Sequence, residues 1–81
     1  MAAANYTFQL SLGRLWPEWS RAECFASDEA AILAAEEILN AERLRSGAVQ
    51  GLTLLVGRGV DDIAWLGGWH CTPQAAEWHP A

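Results

Sequence analysis

The sequence predicts an α+β fold: a small antiparallel sheet of three or four strands with one long helix packed on one face. Three observations predict it. Residues 5–12 alternate strictly between apolar and polar, residues 27–47 form one unbroken helix-forming run, and residues 49–71 read as two strands joined by a glycine turn. With 81 residues the chain is expected to be a single domain, residues 1–81, with 1–4 and 72–81 as less ordered tails.

In residues 5–12, Tyr6, Phe8, Leu10 and Leu12 point one way, and Asn5, Thr7, Gln9 and Ser11 the other. This is the pattern of a strand with one wet face. Residues 13–21 are a turn region in which Pro17 removes a backbone donor and holds Trp16 extended. Residues 22–26 read as a short second strand, with Cys24 on the face opposite Glu23 and Phe25.

The helix has defined ends. Ser27 or Asp28 is the N-cap, Asp28 and Glu29 suit the positive end of the helix dipole, Arg43 and Arg45 suit the negative end, and Gly47 closes the last turn. Between the caps there is no Gly, Pro, Val or Thr. Ala31, Ala34, Ala35, Ile38 and Ala41 form the expected inner face, flanked by Ile32 and Leu39 on one side and by Ala30, Leu33 and Leu44 on the other. Small side chains at its centre let a helix lie close to a sheet.

Residues 49–56 read as the next strand, with Leu52, Leu54 and Val56 on one face. Gly57-Arg58-Gly59 begins the connection. A last strand over residues 62–71 is expected to place Ile63, Trp65, Gly67, Trp69 and Cys71 on one face and Leu66, Gly68 and His70 on the other. Gly67-Gly68 within it marks a bulge, a bend or a close backbone approach. Residues 74–78 read as one helical turn in the tail.

The opening Tyr6-Thr7-Phe8-Gln9-Leu10, the helix with its Asp28-Glu29-Ala30-Ala31 start, and the strand pair that follows resemble the small bacterial β-α-β-β domains of unknown function. The likeness covers residues 5–66. It implies a fold and no activity, and the Trp16–Trp19 loop and the Trp-rich end depart from it.

Charge narrows the function. The formal net charge is −5, no lysine occurs, and all five basic residues are arginine. Nucleic-acid binding draws on a basic patch that releases counterions. Here Glu18 and Glu23 interleave with Arg14 and Arg21, so direct nucleic-acid binding is not expected. Residues 1–12 have no charged and apolar leader pattern, and no run reaches the ~20 apolar residues of a membrane span. A cytoplasmic chain with reduced Cys24 and Cys71, and with no membrane partner, is the expectation.

No motif points to a reaction. Cys24, His70, Cys71 and His79 are of metal-ligating type but lack ligand spacing, and adjacent His70 and Cys71 point to opposite faces of a strand. Cys71 with His79 and Asp61 or Asp62 lacks the local pattern of an activated nucleophile. Gly57-Arg58-Gly59 lacks the Gly-Lys-Ser/Thr ending of a phosphate loop. No enzyme activity, cofactor or metal is expected.

The five tryptophans are the strongest signal left, because a core this small rarely encloses five indoles. Trp65 is expected in the core, with Trp69 and Trp78 covering its end. The expected function is a non-catalytic protein-interaction module that pairs with itself as a homodimer. Trp16, Trp19 and Trp69 are the candidate anchors, with Leu33, Leu44 and Arg58 as secondary contacts. The alternative is an acidic inhibitor, of the kind carried by phages and mobile elements, that fills a basic site on a nucleic-acid-binding protein with Glu29, Glu36, Glu37 and Glu42. A metal-dependent enzyme or sensor is the third reading.

Overall fold

The computed structural model describes residues 3–12, 18–46 and 51–81. The element order is β1 (Ala4–Leu12), β2 (Trp19–Phe25), α1 (Asp28–Ser46), β3 (Leu52–Arg58), β4 (Ala64–Cys71) and β5 (Ala76–Pro80). Among the described residues the five strands form one sheet in the order β2-β1-β3-β4-β5, with every neighbouring pair antiparallel. Both β2 and β3 therefore run against β1, and α1 carries the chain across β1 from one to the other.

The α+β class with one helix on an antiparallel sheet is as expected, but the sheet has five strands rather than three or four. The extra strand is β5, in the stretch expected to be a tail with a helical turn. Thr72 makes the difference. Its Oγ1 accepts from the backbone nitrogens of Gln74 (3.3 Å) and Ala75 (3.0 Å), and its own N–H donates to the Ala75 carbonyl at 2.8 Å. With Pro73 following, this closes a tight turn and sends 76–80 back along β4.

The core lies between α1 and one face of the sheet. Tyr6, Phe8 and Leu10 of β1 and Leu52, Leu54 and Val56 of β3 are buried against Ala31, Ala35 and Leu39 of α1. Ser27 caps the helix: its Oγ accepts from the Ala30 nitrogen at 3.1 Å. The closing role expected of Gly47 lies outside the described residues, as does the Trp16-Pro17 part of the first turn.

Two expectations about side-chain placement are corrected. The inner face of α1 centres on Ala31, Ala35 and Leu39, so Ala41 is exposed and Leu33 and Leu44 lie on the far side from the sheet. The alternation in β4 also breaks. Val56 pairs with Gly67 but Gly57 pairs with Trp65, leaving Leu66 as an extra residue. This bulge puts Trp65 on the opposite face from Trp69, and Trp65 is 40 % exposed rather than in the core. Gly67 permits it. Its φ is +151°, and a Cβ there would lie 2.5 Å from the His79 carbonyl oxygen.

Candidate interaction surfaces

On the helix side, three elements meet at Asp28. The Tyr6 hydroxyl donates to its Oδ1 at 2.6 Å, and Arg58 donates to the same oxygen from Nε at 3.0 Å and to Oδ2 from its other arm. The Arg58 hydrogen bonds, with the Tyr6 hydroxyl second, hold the Asp28 carboxyl below its ordinary range. In turn the carboxylate raises the Tyr6 phenol and keeps it protonated. Arg58, expected as a contact at a turn tip, is thus joined to the start of α1.

The tryptophans divide by environment. Trp69 is half-buried. Its indole N–H donates to the Ile32 carbonyl at 2.8 Å, and its ring meets Trp78 with centroids 5.4 Å apart. It fastens β4 and β5 to the helix. Trp19 is half-buried at the start of β2, with the Arg21 guanidinium 4.2 Å over its ring. Trp16 lies outside the described residues.

Among the described residues no helix lies on the other face of the sheet. Across β1 and β2 it presents Thr7, Gln9, Ser20 and Ala22. The loop of residues 59–63 folds over it, held by the Thr7 hydroxyl donating to the Gly59 carbonyl at 2.6 Å. Ile63 and Trp65 lie over Gly57, where a Cβ would be 2.2 Å from the Ile63 side chain. Val60 and Ile63 with Thr7, Gln9, Ser20, Arg21 and Ala22 enclose a shallow depression of about 320 Å³. Toward β5 the same face carries His70 and His79, ring centroids 4.5 Å apart, with Thr53 Oγ1 at 3.2 Å from His70 Nδ1 and Glu77 at 3.5 Å from His79 Nε2. Burial, then the charge of His79, pushes His70 below the ordinary imidazole value.

Of the residues of metal-ligating type, the sheet brings His70 and His79 together but neither cysteine to them. Cys24 lies on β2, where its thiol is 2.8 Å from Asn5 Oδ1, while His70 and His79 sit on β4 and β5. Cys71 is buried on the helix side, which raises its thiol pKa. Among the described residues no group of three His, Cys, Asp or Glu side chains could hold a metal ion, and no buried side-chain nitrogen or oxygen lacks a partner. No described helix is long and apolar enough to cross a membrane.

On α1, the acidic candidates separate. Glu29 and Glu37 are exposed, whereas Glu36 and Glu42 are partly covered and Glu42 pairs with Arg45. Leu33 and Leu44, 61 % and 85 % exposed, share the outer stripe with Glu37. Sequence reasoning passed over β2 as a surface. Its signal was present in Trp19-Ser20-Arg21-Ala22-Glu23-Cys24-Phe25, which carries opposite charges and two aromatics at mirrored distances from Ala22.

No protein-family model matches the chain, and no curated protein or solved structure is significantly similar to it.

Proposed function

We propose that this chain is a non-catalytic protein-interaction module that associates with itself in the cytoplasm. The observation that carries the reading is the one-sided sheet. Helix α1 covers one face, while the other keeps Trp65 and Val60 40 % and 47 % exposed, and among the described residues β2 has a strand neighbour on one side only. Exposed apolar side chains and a free strand edge are the features that association covers. A chain of this size buries only about 60–65 % of its unfolded surface, so a second copy also adds stability.

Other features support the same reading. Tyr6, Asp28 and Arg58, a cluster of charged and titratable groups on the helix side, are engaged with one another across three elements. Cys24 and Cys71 are unpaired thiols, in keeping with a reducing compartment.

The test is light scattering on a size-exclusion column over a range of loading concentrations. A dimer that dissociates on dilution is the expected result, and a monomer at every concentration overturns self-association. A second reading, the acidic inhibitor, rests on the exposed outer stripe of α1, where Glu29 and Glu37 accompany Leu33 and Leu44. It expects that monomer, waiting for a basic protein partner.

A further inference from the structure

Backbone direction shows which β2 groups are free. In β1 the Asn5 carbonyl accepts from Gly59 N, on the β3 side, and the Leu10 carbonyl accepts from Glu18 N, on the β2 side. Even-numbered residues of β1 therefore direct their N–H and C=O groups to β2. Through the register Tyr6 with Glu23 and Phe8 with Arg21, the odd-numbered residues of β2 answer them. Ser20, Ala22 and Cys24 are left with backbone groups pointing away from the sheet, and all three are exposed.

The opposite edge of the sheet differs. Thr72 N donates to Ala75 O and Ala81 N to Leu66 O, so odd-numbered residues of β5 face β4. Ala76, Trp78 and Pro80 face outward, and Pro80 has no donor to offer. The β5 edge is short and blunted, whereas the β2 edge is neither.

We infer that β2 pairs with β2 of a second copy, antiparallel and centred on Ala22; the inference rests on the self-association proposed above. In that register Ala22 faces Ala22, Ser20 faces Cys24 and Cys24 faces Ser20. These are the residues with outward backbone groups, so each facing pair exchanges two hydrogen bonds, about six in all. Arg21 of each copy then faces Glu23 of the other, and Trp19 faces Phe25. These fall at the positions without hydrogen bonds, where opposing side chains come closest. All four project on the helix side, as their partners Leu10, Phe8, Tyr6 and Ala4 do. A two-fold axis satisfies both charges of a strand that reads + then −. A register shifted by two residues sets like beside like or leaves a charge facing a neutral residue.

Two sets of variants test this, with the wild-type dimer measured by light scattering as the reference. Arg21→Glu and Glu23→Arg each set like charges opposite one another twice, and each is expected to weaken the dimer about tenfold or more. The double variant Arg21→Glu/Glu23→Arg restores opposite pairs and returns the dimer to near wild-type strength. Separately, Ala22→Cys in a Cys24→Ser background places two thiols on the axis, with Cα atoms roughly 5.5 Å apart, within the span of a disulfide. Mild oxidation is expected to join them. Ser20→Cys in the same background holds its two thiols more than about 13 Å apart along the strands, and is expected to stay unlinked. A wild-type dimer that ignores the charge changes and does not cross-link at residue 22 overturns the β2 assignment and leaves self-association standing. A wild-type monomer overturns both.

Discussion

Gly67 does two things that no other residue type can do together. Its φ of +151° lets the backbone carry an extra residue, and its bare α-carbon admits the β5 backbone, with the Pro80 α-carbon 2.9 Å from where a Cβ would be. The result is the reversal of facing that exposes Trp65 and keeps Trp69 over the core. Gly67→Ala is therefore expected to destabilise the fold by about 2 kcal/mol, seen as a lower urea midpoint, because it combines backbone strain with a clash against main chain rather than a flexible side chain. The glycine pair was visible in the sequence as a bulge or close approach, and both meanings apply. Its effect on facing was not visible. A bulge inverts the alternation on one side of itself, and no local pattern says where the extra residue falls. Trp65 was expected in the core for that reason alone.

At the scale of elements, the long periodic segments were legible and the short ones were not. The β1 alternation, the α1 boundaries and the inner side of β3 follow directly from spacing, because each repeats its signal over several residues. Strand β5 repeats too little, and Ala75-Ala76-Glu77 favours a helix; a turn built by one threonine decided otherwise. For α1, spacing found the apolar half but not its centre, which Leu39 rather than Ala41 occupies. The attachment of α1 to the sheet has a pH dependence that can be signed. Asp28 is held below its ordinary value of 3.8 in the folded chain by Arg58 and Tyr6. Its contribution is thus complete above that value and is lost as pH falls through the lower folded value. Asp28→Asn is expected to reduce stability at pH 7 and to flatten the acid limb of a plot of urea midpoint against pH. His70, also depressed, adds a second loss as pH drops below its ordinary 6.5, and His70→Gln removes that step.

Among the described residues the molecule is a sheet with a helix on one face and only the 59–63 loop over part of the other, and its stability is expected to depend on how much of it is present. A chain that dimerises gains stability by mass action, so the melting temperature should rise with protein concentration. The rise should persist in Leu33→Gln/Leu44→Gln, since these side chains face away from both the core and β2 and their loss changes stability by less than about 0.5 kcal/mol. It should shrink in Arg21→Glu. The proposed interaction surface was the least legible part of the chain. Tryptophans drew attention because they are rare and large, yet Trp69 fastens the helix and Trp19 carries a guanidinium. The mirrored charges of β2 become meaningful only once the strand is known to lie at an edge, which is a property of topology.

The proline at the end of β5 bears on how far the proposed association would run. A sheet with two receptive edges adds copies at both, and nothing stops it from becoming a fibre. In the proposed dimer the β2 edge is consumed by its own image, while Pro80 leaves the β5 edge short of a donor. Growth of the proposed assembly by strand addition would therefore end at a closed pair, with a Pro80 at each extremity. The same residue that leaves the β5 edge without a donor would then set the size of the proposed assembly.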